Sequence, residues 1–392
     1  MKKFFKYCMF VLLPVVSFGQ NQIQNGNPTE TPLIPTSKQS LLKDVDVIFN
    51  TRLAFDNYFV DGDHTNSLFS ANQLRFEVKG KIHDKVFFRF RNRYTKISDP
   101  NTTVDNLSRS VDMAYLTVDL TPQTKLSFGK IIGDWGGYEL LSNPIEILSY
   151  NTINNYNENF MVGAALSYAL DDHKNKFNFQ VLNARTKTFQ DQLGATVPPG
   201  ITATETPLAA VGNWKGSLFD GKLETTYSYS FFMDANNANR NFVSLGNKYK
   251  NNKLVLYYDF QYSKEDLDQK TVVSNIIKSK NIYAAQDVSY LENWIRAEYL
   301  IRPKVNLLLT VMSSSANWNG NPDPNKDSHL LTSYSIIPTV EYSPFSDINI
   351  KFYAAYVGKK NNYSSYAQNN FGAVDGNTGQ VSFGVIAPLL VL

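Results

Sequence analysis

Cysteine is almost absent from this chain. Its 392 residues contain one, Cys8, inside an apolar run near the N-terminus. Lys2, Lys3 and Lys6 precede that run, which extends from Tyr7 to Phe18, and Ser17-Phe18-Gly19 puts small residues at the −3 and −1 positions of a cleavage site. This is the layout of a secretory signal over residues 1–19, too short to span a bilayer, with Gln20 expected as the first mature residue. Cys8 has no small residues before it, so it makes a poor lipid-attachment site and is expected to leave with the leader. A mature chain without cysteine has neither a disulfide framework nor a thiolate metal site.

Net charge is also missing. Without Lys2, Lys3 and Lys6 the 38 basic residues fall to 35, equal to the 35 acidic ones. Bulk charge therefore gives no support for a nucleic-acid partner, and any preference for one sign of ion must come from local placement. Long apolar runs are lacking too: mean hydropathy is −0.30, and nothing after the leader approaches the roughly 18 residues of a membrane helix. Histidine is scarce. His64, His83, His173 and His329 assemble by spacing into no Ser-His-Asp set and no metal-ligand pair. Gly136-Gly137 is no phosphate-binding fingerprint, because no helix follows a parallel strand there. The sequence thus offers no catalytic set, metal site or cofactor motif.

What the chain does have is aromatics, 23 Tyr and 26 Phe, and a period of two. Val45, Val47, Phe49, Leu53 and Phe55 alternate with Asp44, Asp46, Asn50, Arg52 and Asp56. The same alternation recurs through Leu74–Ile82, Leu223–Met233, Leu254–Tyr262, Val305–Val311, Ile348–Tyr356 and Val381–Val391. About sixteen such segments of roughly ten residues can be counted, the length a tilted strand needs to cross a bilayer.

The connections alternate between long and short. Asn57 to Leu68, Lys96 to Arg109, Gly133 to Asn157, Arg185 to Thr206, Lys264 to Gln286, Asn317 to Lys326 and Gly358 to Thr378 read as long loops, with Asp234 to Arg240 of medium length. Between them come short turns at His83 to Lys85, Thr121 to Thr124, Asp171 to Asn175, Ser217 to Lys222, Lys250 to Lys253, Arg302 to Lys304 and Pro344 to Asp347. Sorting of this kind fits an all-β, transmembrane, antiparallel up-and-down barrel of about sixteen strands, with short periplasmic turns and long extracellular loops. A secreted soluble β protein is the other class open at this point. The expected organisation is a leader (1–19), a polar periplasmic tail (20–42) and one barrel (43–392).

In a membrane barrel the apolar stripe faces lipid and the polar stripe faces the lumen. Phe88, Phe90 and Tyr94 then point out, and Arg89, Arg91 and Arg93 point in, as do Arg75, Glu77, Lys79 and Lys81 one strand earlier. A three-residue turn flanked by Ile82 and Val86 makes facing positions sum to 168. Lys79 then opposes Arg89, Glu77 opposes Arg91 and Arg75 opposes Arg93, which puts one carboxylate among five cations. Guanidinium suits phosphate and carboxylate because it stays charged and donates two parallel hydrogen bonds. The competing reading is a structural charge network, neutralised by Asp44, Asp46, Asp56 and Glu77, inside a weakly selective pore.

Residues 133–157 are too apolar for a loop in water, since Leu140, Leu141, Ile145, Ile147 and Leu148 need cover. Folding into the barrel would hide them and narrow the lumen, with Trp135, Tyr138, Glu139 and Glu146 as candidate constriction side chains and Lys130 reaching in from the preceding strand. An extracellular lid or a subunit contact is the alternative.

The succession Leu74-Arg75-Phe76-Glu77-Val78-Lys79-Gly80-Lys81, Phe87 to Tyr94, Asp112-Met113-Ala114-Tyr115-Leu116 and Leu126-Ser127-Phe128-Gly129-Lys130 resembles the phosphate-selective porin family, porins O and P. The likeness is strongest over Lys43 to Leu170 and is carried beyond by strand pattern. It implies a sixteen-stranded barrel, usually a trimer, with an arginine ladder and a constriction formed by the third long loop; Arg75, Arg89, Arg91, Arg93 and Lys130 stand where such a lining belongs. The expected function is passive diffusion of small hydrophilic solutes across the bacterial outer membrane, anions preferred. A weakly selective pore, and a barrel adhesin or scaffold without transport, remain as alternatives. Expected partners are outer-membrane lipid, two further copies of the chain, and small anionic or hydrophilic solutes. No cofactor and no nucleic acid is expected.

Overall fold

The computed structural model describes residues 44–96, 103–170 and 174–391. The leader, the polar tail, His173 and parts of two connections lie outside the described residues.

Sixteen strands run in chain order. The first quarter is β1 (Val45–Val60), β2 (Asp63–His83), β3 (Val86–Arg93) and β4 (Val111–Asp119). Next come β5 (Thr124–Ile132), β6 (Phe160–Ala169), β7 (Asn175–Asn183) and β8 (Leu208–Leu218). They are followed by β9 (Leu223–Ala235), β10 (Ala238–Lys250), β11 (Leu254–Leu267) and β12 (Gln286–Arg302). The last are β13 (Val305–Trp318), β14 (His329–Tyr342), β15 (Lys351–Tyr363) and β16 (Gly376–Leu390). Each pairs antiparallel with its chain neighbours, and β1 closes on β16 from Ile48↔Leu390 to Val60↔Thr378. Closure removes every sheet edge, which a hydrocarbon environment demands because no water is present to satisfy a free N–H or C=O.

The side-chain pattern is inverted relative to a water-soluble protein. Phe128, Phe179, Ile295, Leu309, Val340 and Phe383 are exposed on the outer surface, whereas Asn178, Gln180, Asn213, Asp259, Gln261 and Glu292 are buried inside. On β11 the two sets interleave: Leu256 and Tyr258 are exposed, and Asp259, Gln261, Ser263 and Glu265 are buried. A soluble sandwich would put these stripes the other way round.

Two expected loops are instead hairpins. Residues 57–68 continue β1 and β2 as a paired ribbon from Asn57↔Ser67 to Val60↔Asp63, turned by Asp61 (φ 52°) and Gly62 (φ 93°). Asn, Asp and Gly tolerate the left-handed region, so two residues suffice to reverse the chain. Likewise β9 and β10 meet through Asn236-Asn237 alone, with Asn237 at φ 59°. Polar composition at both places marks solvated strand rather than loop.

The long connections carry short helices: α1 (Tyr138–Leu141) and α2 (Thr152–Tyr156) between β5 and β6, α3 (Phe189–Leu193) between β7 and β8, α4 (Val272–Ile277) between β11 and β12, and α5 (Ser365–Phe371) between β15 and β16. Ser364 caps α5 by accepting from the Ala367 amide, and Gly372 (φ 71°) ends it in the left-handed conformation.

Candidate functional site

The β2–β3 register is the one expected from the turn for the basic residues: Arg75↔Arg93, Glu77↔Arg91 and Lys79↔Arg89. The turn itself differs, because Val86 pairs with His83 across a register shift. All five cations stand on the inner wall, but they face more than one carboxylate. Glu77 Oε1 accepts from Arg89 Nε and Nη2, both at 2.8 Å, and Glu77 Oε2 lies 4.0 Å from Arg91 Nη1. Asp46, across the β1–β2 pair, sits 3.4 Å from Lys79 Nζ.

A third carboxylate, Asp112 on β4, holds the centre. Its oxygens lie 3.3 Å from Arg75 Nη1, 3.4 Å from Arg91 Nε and 3.1 Å from Arg93 Nη2, and its side chain is fully buried. Alternation from the exposed Leu116 would turn Asp112 outward. A bulge overrides it: Arg91 pairs with Met113 while the next residue, Asn92, pairs with Val111, so Asp112 is the extra residue. Bulges re-aim side chains in this way. The five cations thus face three carboxylates rather than one, which leaves two positive charges uncompensated. Arg75 and Arg91 retain only 3% and 7% of their side-chain surface, whereas Lys79, Arg89 and Arg93 retain 34%, 28% and 22%. The trio is the part of the ladder left partly open to the lumen. Of the other proposed neutralisers, Asp56 accepts from Ser70, Asn72, Gln380 and Ser382 instead, and Asp44 makes no ion pair among the described residues.

Lys130 is buried against Asp105 of the β3–β4 connection, at 3.0 Å. Strand parity from Phe128 would send it outward; Gly129, at φ 123° and too close to the Ala114 carbonyl for any Cβ, lets the chain turn it in. It lines the lumen as a compensated charge rather than a free one.

The β5–β6 connection (133–159) folds into the barrel. Asp259 on β11 accepts from the Tyr138 and Glu139 amides at 2.9 and 2.7 Å, at the start of α1, and Glu292 on β12 accepts from the Ile153 amide at 2.7 Å, inside α2. Arg52 on β1 donates to the Ile145 and Ile147 carbonyls at 3.1 and 2.7 Å, and Asn151 Nδ2 donates to the carbonyls of Asn293 and Ser313. Gln180, Lys215, Arg296 and Lys351 hold other points at Asp134 and Glu146. The apolar residues find their cover: Ile145, Ile147, Ile153 and Leu140 are buried.

The four residues expected at the constriction serve as anchors. Trp135 is buried with its ring 5.3 Å from Phe232, and Tyr138 packs 5.7 Å from Tyr257. Glu146 pairs with Lys351 at 2.9 Å. Glu139 is wholly buried without a cation, accepts from the Asn151 amide and from Asn154 Nδ2, and has its carboxyl pushed up to about 8 by burial. The segment turned toward the basic wall is Leu140 to Pro144, which carries no charge.

Two cavities meet the ladder. One, of about 510 Å³, is lined by Lys79, Arg89 and Arg91 and reaches Pro388 and Leu390 on the side of the short turns. The other, of about 430 Å³, is lined by Arg75, Arg93, Lys96, Arg109 and Lys130 on the side of the long connections. Leu140, Pro144 and Phe160 line both, so the lumen narrows between them and the arginines. Arg109 pairs with Glu158 at 2.8 Å, and burial lowers the Lys96 ammonium to about 8. Among the described residues no cluster of His, Cys, Asp or Glu converges as a metal site would.

A family model, phosphate-selective porin O and P, matches residues 47–383. The chain belongs to this family. It is an outer-membrane porin, and its short turns face the periplasm. Solved structures share the barrel at low identity. The outer membrane channel DcaP of Acinetobacter baumannii superimposes with a TM-score of 0.57 at 13% identity over 88% of this porin and 98% of that chain. An anion-selective porin from Comamonas acidovorans gives 0.55 at 11% identity over 88% and 98%. OmpT of Vibrio cholerae, in its trimer form, gives 0.53 at 12% identity over 88% and 99%. No curated protein matches the porin in sequence.

Of the residues that build this site, Asp112, Arg52, Asp259 and Glu292 went unrecognised in the sequence. Arg52 sits on the inward stripe of β1, and its parity was a usable signal. Asp259 and Glu292 were equally available as inward acids on β11 and β12, but nothing local says that a loop from elsewhere in the chain docks on them.

Proposed function

We propose that the porin passes small hydrophilic anions, phosphate or other small anions, by diffusion down their gradient. The observation that carries this reading is the asymmetry of the narrow zone. Lys79, Arg89 and Arg93 keep partly exposed side chains on one wall; the uncharged segment from Leu140 to Pro144 shares a cavity with the first two, and its ends Leu140 and Pro144 share one with Arg93. An ion leaving bulk water loses hydration. Fixed guanidinium and ammonium groups replace it for an anion and repel a cation, and the low-dielectric walls strengthen both effects. Asp46, Glu77 and Asp112 hold Lys79, Arg89 and Arg93 in place, and Glu77 and Asp112 also bind the buried Arg91 and Arg75. In this reading the residues between 133 and 157 form the constriction, the leader over 1–19 is removed on export, and the chain is a channel without catalysis.

The burial of Arg75 and Arg91 favours a second reading, a pore of weak selectivity, because only two positive charges remain uncompensated. Replacing Arg89, Arg91 and Arg93 together by Ala separates the two. Loss of most of the chloride-over-potassium preference in a planar bilayer supports the anion pathway; an unchanged reversal potential makes the arginines a structural network only. A homotrimer in outer-membrane lipid is also proposed, supported by the trimer form of the Vibrio cholerae OmpT barrel; chemical cross-linking of the folded porin in detergent tests it.

A further inference from the structure

A separate cavity of about 340 Å³ opens between α2, α4, the end of α5 and the inner faces of β14 and β15. None of its lining residues belongs to the arginine ladder, and it shares only Tyr156 with the outer ladder cavity. Its volume falls within the range of small-molecule sites. The chemistry of its walls differs from that of the ladder. Tyr156, Tyr363 and Phe371 supply three rings, and Val272, Ile276 and Leu331 supply aliphatic surface. Three helical connections from separate loops converge to make it.

Donors cluster on the strand side. Lys359 on β15 points into the lumen and makes no ion pair among the described residues. Glu292, the carboxylate whose charge it feels, lies beyond ion-pair reach and accepts from the Ile153 amide. Ser333 Oγ donates to Asn361 Oδ1 at 2.6 Å, which fixes the amide so that Asn361 Nδ2 is left to donate. Asn275, on α4, presents a second amide from the opposite wall. One cation and two amides beside three rings suit a solute with a charged end and a flat apolar body. Inorganic phosphate or chloride would leave the rings and aliphatic wall unused.

We propose that this cavity is a capture site, on the extracellular side, for a carboxylate borne on a six-membered aromatic or alicyclic ring. The carboxylate meets Lys359 and Asn361, and the ring packs among Tyr156, Tyr363 and Phe371. The site stands apart from the ladder, so it holds whether or not the ladder prefers anions.

Isothermal titration of the folded full-length porin with benzoate tests it. Saturable binding of one benzoate per chain is expected, with acetate, which lacks the ring, and benzyl alcohol, which lacks the charge, each weaker by about tenfold or more. Lys359→Gln and Tyr363→Ala, checked for fold by circular dichroism, should each weaken benzoate by about tenfold. On the unmodified porin, a large excess of inorganic phosphate should leave benzoate binding unchanged. Absence of saturable binding overturns the proposal, as does acetate or benzyl alcohol binding as well as benzoate. Displacement by phosphate would place the acid on the ladder instead. The reversal potential in KCl is untouched by any of these outcomes, so failure here is distinct from failure of the anion pathway.

Discussion

Asp112 accepts contacts from three guanidinium groups because a bulge puts it on the inner wall at the level where Arg75, Arg91 and Arg93 converge. Without it, three buried or half-buried cations would repel one another in a poorly solvated niche. Removing one partner of a buried ion pair costs about 3–5 kcal/mol, since the remaining charge stays desolvated. Asp112→Asn keeps the shape and deletes the charge. It should lower the unfolding free energy in urea by about that amount, and the variant that does fold should show a stronger chloride preference than the parent. The arginines themselves were legible in the sequence, because strict alternation against Phe88 and Phe90 fixes their face, and the expected register holds as far as Lys81↔Phe87, with only the turn beyond departing from it. Asp112 was not, because a bulge breaks alternation and leaves no composition mark. Lys130 reaches in as expected, although strict parity would send it out, because the backbone departs from regular strand at Gly129; its partner Asp105, on a connection, was not legible.

At the scale of elements, the β5–β6 connection is a folded insert rather than a flexible strap. Its backbone groups are satisfied by wall side chains, chiefly Asp259, Glu292 and Arg52, and its own Asn151 donates to wall carbonyls. Arg52→Met removes the donor to the Ile145 and Ile147 carbonyls and leaves both buried acceptors short, at a cost of about 1–3 kcal/mol each. The expected result is a larger and noisier single-channel conductance; identical traces would remove Arg52 from the anchoring set. Glu139 makes the docking sensitive to pH. Its carboxyl is raised to about 8 by burial, so the docked loop binds a proton that the released loop gives up in the same range. Such a group stabilises docking fully below the ordinary carboxyl range, and that contribution is lost as pH rises through about 8. Conductance noise should therefore grow as pH rises from the ordinary carboxyl range to about 8 and level off above it, and Glu139→Gln should flatten that dependence. The apolar content of residues 133–157 announced that the segment needed cover. Which side chains would turn toward the ladder could not be read there, because the partners lie on strands remote in the chain, 93 positions away for Arg52 and 121 for Asp259. The ribbons at 57–68 and 236–237 were hidden differently, since a solvated strand and a loop share the same polar composition.

At the scale of the whole molecule, the barrel follows from one rule, that every other residue is apolar and outward. Sixteen strands, closure through β1 and β16, and the lumenal placement of Asp259, Gln261 and Glu292 all follow from it. Leu309 lies within that outward band on β13. Leu309→Arg should cost about 2–4 kcal/mol if the band is buried in hydrocarbon, measured as a shift of the urea unfolding curve in lipid vesicles; an unaffected curve would put β13 in water. Residues 20–392 carry 35 basic and 35 acidic side chains, which gives them no general attraction for ions of either sign. The proposed selectivity therefore rests on a local excess, Lys79 and Arg89 facing the uncharged stretch from Leu140 to Pro144, and Arg93 facing its two ends. The reversal potential of the unmodified porin in a planar bilayer under a KCl gradient reads that excess most directly. The account predicts a potential of the sign set by chloride. A potential near zero, or one of the sign set by potassium, would contradict it.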